Sequence, residues 1–450
     1  MNLLDTNAHH LYDTIRDLPI VSPHGHCEPQ WFASNRPFKN PADLLVIPDH
    51  YVFRMLYSQG VPLEKLGVPP LGTGADPRAV FRTLADHWHL FLGTPSRIWM
   101  EYVLGTTLGI DTPLSPKTAD TVYDQIAGRL IDPKYTPRAL FDRFNIEVLA
   151  TTDHALDTLA HHRELAASGW QGRIIPTFRP DAVIDPMHPE FHLSIRELGD
   201  LTGQDTETYS GLIAALRARR AYFKSMGATA TDHAIDVLHT EVLGDPEAAY
   251  RDVLFAPSEQ KARAFHGHML VKMAEMSIED GLVMQLHAGS QRNTNRHLFN
   301  AFGADKGADI PRPTSWVDAL DALLNRAGNH PDSRLIVFTL DESSYAREMA
   351  PMAGHWPALR IGPPWWFHDS PSGIARYLDH VVETAGYWNL AGFNDDTRAF
   401  LSIPARHDLW RRAVSEHLSG QIRRGFFDRA TAEEIATLLA VDLAREAYRL

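Results

Sequence analysis

The stretch from Ile20 to Pro29, Ile-Val-Ser-Pro-His-Gly-His-Cys-Glu-Pro, carries the first residues whose types and spacing could do chemistry. Its apolar start suits a short buried strand, and His24 and His26 follow two residues apart. Residues i and i+2 of a strand point to the same side. Both imidazoles can therefore reach one divalent cation, and neutral imidazole is the commonest metal ligand. In the other reading one histidine caps the strand and its neighbour packs; H-x-H alone does not choose. More polar groups close other apolar runs: Thr151, Thr152 and Asp153; Arg179 and Asp181; Asp232 and His233; His287 with Arg292 and Asn293; Asp341; Trp365, Trp366, His368 and Asp369; and Asp395, Asp396 and Arg398.

Short apolar runs position these groups. After the first, they fall at 145–152, 173–179, 228–232, 282–287, 334–340, 358–361 and 389–393, with helix-like periodicity between them. Such alternation implies parallel strands. Eight strands point to an α/β fold of the closed (β/α)8 (TIM) barrel type, with an open doubly wound sheet as the alternative. Residues 31–144 show helical periodicity and Pro-rich connections but no convincing strand, which predicts a helical insertion after strand 1. The chain thus divides into 1–30 (N-terminal helix and first barrel strand), 31–144 (insertion) and 145–450 (the rest of the barrel), closed by helices near 407–423 and 430–450.

In such a barrel the chemistry lies at the C-terminal ends of the strands. Closure places Asp396, after the last strand, beside His24 and His26. Three protein ligands leave a position open for water or substrate, as in catalytic zinc sites. His287 is either a further ligand or a substrate contact. Arg179, Arg292 and Arg398 supply an excess of guanidinium groups, which match carboxylates bidentately, so a substrate carrying a carboxylate is expected. Trp365 and Trp366 would form an apolar wall.

Composition narrows the class. Hydrophobic residues make up 44% and charged residues 22% of the 450, as in ordinary globular proteins. A formal charge of −13 argues against nucleic acid or an anionic membrane as partner. The one cysteine, Cys27, allows no internal disulfide and suits a reducing compartment. No signal-peptide pattern opens the chain and no apolar run reaches the roughly 18 residues of a membrane span. A cytoplasmic protein, associating as a homo-oligomer, is expected.

Taken together, the motifs resemble the uronate (glucuronate) isomerase family of the amidohydrolase superfamily. The resemblance rests on the strand-1 H-x-H, Asp49-His-Tyr51, Thr151-Thr-Asp153, Pro176-Thr-Phe-Arg-Pro-Asp181, Asp232-His233, Met284-Gln-Leu-His287 with Arg292-Asn293, Gly362 through Trp365-Trp366-Phe367 and Asp369, and Asp396-Thr-Arg-Ala-Phe-Leu-Ser402. It implies interconversion of aldose and ketose hexuronates, D-glucuronate with D-fructuronate and D-galacturonate with D-tagaturonate. It further implies a divalent metal, zinc first, on His24, His26 and Asp396, with substrate on Arg179 and Arg398 and with His50 and Tyr51 reaching over the barrel mouth. Removal of a proton beside a carbonyl needs a base, an acid and a cation near the developing enediolate. Asp396 is the expected base, Tyr51 with His50 the proton shuttle, Arg398 the enediolate partner and Arg179 the holder of the C6 carboxylate; Tyr51 is the alternative base. The sequence departs from the family pattern at Tyr57, where an Arg is usual, at Ile403, where a Tyr is usual, and at Pro363-Pro364. Two other functions compete: a metal-dependent hydrolase or decarboxylase on the same scaffold, which fold alone does not exclude, and a sugar-acid binding protein without catalysis.

Overall fold

The computed structural model describes residues 3, 5–365 and 368–450. Its strands are β1 (Ile20–Ser22), β2 (Ile146–Ala150), β3 (Asp153–His154), β4 (Arg173–Ile175), β5 (Phe178–Arg179), β6 (Ala230–Ile235), β7 (Val283–Ala288), β8 (Ser290–Gln291), β9 (Ile310–Pro311), β10 (Leu335–Thr339) and β11 (Leu359–Ile361). Two parallel ladders run β1-β2-β4 and β11-β10-β7-β6-β5-β3. β2 with β3 forms one stave, and β4 with β5 another. Their bonding continues across the breaks through Thr151 N to Ile175 O (2.9 Å), Asp153 N to Thr177 O (3.0 Å) and Ala155 N to Arg179 O (2.9 Å). All six residues of β7 and all five of β10 are buried, as central parallel strands covered on both faces require.

The eighth stave is 389–397. It pairs with β11 through a bridge from Ile361 to Leu390 and through Ala391 N to Ile361 O (2.9 Å). It meets the first stave through His26 N to Thr397 O (3.0 Å), which closes the (β/α)8 barrel. The ladder expected over 389–393 is cut short at Gly392. That residue has φ +74°, and a Cβ there would lie 2.6 Å from Ala444 N, so only glycine lets the last helix approach so closely.

Between β1 and β2 the chain is helical, from Pro29–Ser34 to Pro137–Arg143. The prolines that read as connections are mostly helix starters: Pro29, Pro41, Pro77, Pro95 and Pro137 each open a helix. A missing N–H costs nothing there. These helices share an apolar cluster with Ile146, Leu149 and Ile174 from the barrel and with Phe400, Leu401 and Ile403 from the segment after stave eight. The helical segment is thereby fixed to the barrel flank next to its seam, and Phe32 meets Phe400 edge to face at 5.0 Å.

Local structure differs from the sequence reading in three places. The helix expected from Ala155 starts at Ala160, because Asp157 Oδ1 caps Leu159 N in a left-handed turn. The long helix expected to 226 is three helices, Asp181–Ile184, Phe191–Thr202 and Tyr209–Ser225, interrupted around Pro186 and Pro189 and at Gly203. The polar loop after β7 contains the β8–β9 ladder and the helix Arg296–Phe302. No helix among the described residues is long and apolar enough to cross a membrane.

Asp153 ends up buried, accepting from Thr151 Oγ1 (2.7 Å), which also meets His162 Nε2 (2.9 Å). Burial pushes its carboxyl up to about 7, above an unfolded value near 4. The folded chain therefore holds a proton that the unfolded chain releases, so this residue costs stability as pH rises from about 4 to 7, with the cost constant above that. We expect Asp153→Asn to raise stability at pH 8 by on the order of a few kcal/mol. The gain should shrink to nothing near pH 4, as read by calorimetric melting across that range.

Candidate active site

The turn after β1 delivers His24 and His26 at the C-terminal mouth of the barrel. It is laced on both sides: Thr152 Oγ1 donates to Gly25 O (3.0 Å), and Cys27 Sγ lies 3.6 Å from Thr397 O. His24 is 1% exposed, stacked on His287 at 4.6 Å and edge-on to His26 at 5.4 Å. Asp396 has φ +38°, a left-handed backbone that a non-glycine residue keeps only under constraint. One carboxylate oxygen, Oδ1, stands 3.4 Å from His24 Nε2 and 3.2 Å from His26 Nε2. Burial would raise the Asp396 carboxyl, but the two imidazoles outweigh it and hold it well below the usual carboxylate range. Burial lowers His26, whereas on His24 the pull of Asp396 wins and raises it.

This donor set fits a metal. Tetrahedral zinc bonds of about 2.1 Å set neighbouring donors roughly 3.4 Å apart; Asp396 Oδ1 already lies at that spacing from both imidazoles, and all three donor atoms lie within 4.8 Å of one another. A second group, His24, Asp232 and His287, is fully buried. In it Asp232 is engaged twice, by His287 Nδ1 at 2.6 Å and by Arg179 Nε at 3.6 Å. Asp232 thus orients His287 in the way carboxylates orient metal-site histidines. His287 Nε2 is buried without a hydrogen-bond partner, which suits either role expected for it, ligand or substrate contact. Burial lowers the His287 imidazole, keeping it neutral.

The same cavity is lined by His24, His26, Asp49, His50, Tyr51, Arg179, Asp232, His287, Arg292, Asp305, Asp309, Trp365, Asp396, Thr397 and Arg398. Every residue to which the sequence assigned a metal, catalytic or substrate role is therefore at this cavity except Trp366, which lies outside the described residues. The arginines are not equivalent. Arg179 gives Nε to Asp181 (2.9 Å) and shares Asp232; Arg292 gives Nε to Asp309 (3.0 Å); half-buried Arg398 has no carboxylate at ion-pair distance among the described residues. Trp365 is edge-on to His287 at 5.0 Å, with Arg292 6.0 Å from its ring.

His50 and Tyr51 open the helix His50–Tyr57, whose cap Asp49 accepts from Tyr51 N at 2.8 Å. Burial pushes the His50 imidazole well down and the Tyr51 phenol well up, so both are neutral near pH 7. Behind Tyr51 lies Arg406, 2% exposed. It contacts Asp369, donates to Asp395 O and Ser402 Oγ (each 3.2 Å), and sits 3.4 Å over Trp99 and 5.4 Å from the Tyr51 ring.

Sequence reasoning placed Asp232 at the end of an apolar run without giving it a role, and did not select Asp305, Asp309 or Arg406. Asp232 was readable: in β6 it alternates with Thr231 and His233, which bond to each other on the opposite face (3.1 Å). Asp305 and Asp309 lie in a loop and Arg406 in a helix, where no periodic signal points to the cavity. Strand-end residues Asp153, Asp341 and Asp369 are engaged elsewhere, with Thr151, Ser343 and Arg406. The departures from the family pattern miss the cavity: Ile403 is fully buried in the insertion's apolar cluster, and Tyr57 packs against that cluster.

Known proteins resemble this chain over nearly its whole length. The family described as glucuronate isomerase matches residues 2–444. A uronate isomerase from Rhizorhabdus wittichii is 54% identical over 446 residues, 98% of this chain and 95% of the relative. The crystal structure of a glucuronate isomerase from Caulobacter crescentus superposes with TM-score 0.97 at 47% identity, covering 98% of this chain and 94% of that one. A uronate isomerase structure from Thermotoga maritima gives TM-score 0.93 at 26% identity, covering 99% and 98%.

The buried Arg406–Asp369 pair should be costly to break from one side only, because a buried charge is then left alone. We expect Arg406→Met to destabilise by about 3–5 kcal/mol. Arg406→Met combined with Asp369→Asn should recover much of that, as read by urea denaturation.

Proposed function

This chain belongs to the glucuronate isomerase family, and from that premise we propose that its cavity interconverts aldose and ketose hexuronates by proton transfer between C2 and C1 through an enediol. The pairs are D-glucuronate with D-fructuronate and D-galacturonate with D-tagaturonate. The observation that carries the reading is one cavity in which the His24–His26–Asp396 donor set, Arg398 with no carboxylate at ion-pair distance among the described residues, and neutral His50 and Tyr51 converge. The hydrolase and binding-protein readings have no comparable support.

A divalent metal, zinc first, would be held by His24, His26 and Asp396, and when bound supplies a fixed positive charge beside the sugar oxygens. Arg179 has its Nε committed to carboxylates, leaving its Nη nitrogens for the C6 carboxylate. Arg398 stabilises negative charge on the enediolate oxygen. Arg292 and His287 line the cavity beside the sugar, and Trp365 offers an apolar wall. Asp396 removes the C2 proton. Asp396 then returns to C1 the proton it took from C2. Tyr51, which carries a proton at physiological pH because burial holds its phenol up, donates that proton to the C1 carbonyl oxygen and is reprotonated by the C2 hydroxyl as that oxygen becomes the new carbonyl, with His50 beside it (ring centroids 5.3 Å apart). A reducing, cytoplasmic setting belongs to the same reading, supported by the single buried thiol of Cys27.

Proton NMR of the metal-loaded protein with D-glucuronate, and separately with D-galacturonate, in deuterated water tests the proposal. Ketose carrying deuterium at the receiving carbon is expected; no ketose from either sugar would sink it. Tyr51→Phe should lower kcat by about 10²–10⁴-fold with little change in KM. Dialysis against a chelator should abolish turnover, and zinc should restore it. Asp396→Asn should lose both metal and activity, and near-full activity in that variant would remove Asp396 from the mechanism.

A further inference from the structure

Asp305 is the cavity carboxylate with no assigned task. Asp232 and Asp309 hold Arg179 and Arg292, Asp49 caps a helix, and Asp396 belongs to the donor set. Asp305 stands in the turn between the helix Arg296–Phe302 and β9, at φ +59° between Gly303 and Gly307, both at φ +81°. The turn is a built feature. Its base is the β8–β9 ladder, and Ser290 Oγ donates to Asp309 (3.0 Å). Its tip packs on the helix that carries His50 and Tyr51: a Cβ on Gly307 would lie 2.7 Å from Arg54 Cβ and 3.2 Å from His50 O. The residue is exposed at the mouth and lines the cavity. Burial alone would raise that carboxyl; Arg292, then Arg398, Arg179 and His26, hold it below its usual value.

A cavity with an arginine lacking a carboxylate partner would by itself capture any small oxyanion. We propose that Asp305 is a specificity-determining residue. It screens Arg398 and Arg292 from bare inorganic oxyanions and admits a hexuronate because the sugar's hydroxyls donate to it while the sugar's carboxylate goes to Arg179. Discrimination arises from repulsion of the wrong ligand as much as from attraction of the right one. This role rests on the hexuronate reading of the cavity.

Calorimetric titration of sulfate and of D-glucuronate into the metal-loaded wild type, Asp305→Asn and Asp305→Glu, at fixed ionic strength, tests it. Asn keeps the shape and tolerates the left-handed backbone, so the variant should fold, and equal melting temperature checks that. We expect Asp305→Asn to bind sulfate about tenfold more tightly, about 1.4 kcal/mol, with no gain for the hexuronate. Asp305→Glu should exclude sulfate as the wild type does. Sulfate affinity within twofold of wild type in Asp305→Asn, or an equal gain for both ligands, overturns the proposal. Sulfate binding needs no turnover, so that result removes the role of Asp305 even where ketose forms. Absence of ketose in the wild type removes the isomerase reading even where the sulfate contrast appears.

Discussion

One carboxylate oxygen facing two imidazoles is the contact on which the structure turns. Asp396 Oδ1 stands within 3.4 Å of both His24 Nε2 and His26 Nε2, and these residues come from opposite ends of the chain. They meet because the eighth stave closes on the first, through His26 N to Thr397 O. Barrel closure and assembly of the donor set are thus one event. The positive φ of Asp396 marks where the backbone is bent to aim the carboxylate, and such strain persists only where the surroundings over-determine it. Here Thr152, Thr397 and the Arg406–Asp395 contact supply that constraint from three sides.

The second constraint is charge. The chain is strongly acidic, yet its cavity gathers Arg179, Arg292 and Arg398. A low-dielectric cleft does not hold unpaired guanidinium groups without cost, and the paired arginines are matched by Asp181 and Asp232 or by Asp309. Arg398 has no carboxylate at ion-pair distance among the described residues, which connects the electrostatics of the cavity to the isomerase reading. The neutral His50 and Tyr51 reach the same space on a helix from outside the barrel, braced by Trp99 (5.4 Å from the Tyr51 ring) and Arg406. The groups proposed to act on substrate therefore come from two parts of the structure held together by a shared apolar cluster.

The alternation of apolar runs with helices was legible because parallel strands must be buried on both faces, and burial writes itself into composition. Strand-end polar residues were legible for a related reason: a barrel puts its chemistry at one end. The eighth stave and the loop after β7 were harder. Gly392 interrupts one ladder by a close approach to Ala444, and the other segment builds a two-residue ladder that pairs Ser290 with Pro311 and Gln291 with Ile310, far apart along the chain. Neither leaves a periodic trace. Ile403 and Tyr57, which stood out as departures from the family pattern, belong to apolar packing and leave the cavity lining as it is.

The sequence by itself determined the fold class, the family and the inventory of groups that could do chemistry, because these depend on residue type, spacing and order. The tertiary structure decided what each group is free to do. Asp153, Asp369 and Asp396 look alike in the sequence, as acids near strand ends. Packing gives the first to a buried threonine, the second to a buried arginine and the third to two imidazoles. In the same way it pairs Arg179 and Arg292 with carboxylates and, among the described residues, brings none to ion-pair distance of Arg398. The physical reason is that protonation and charge are set by burial and by the nearest opposite charge, and neighbours in space across a barrel are far apart along the chain.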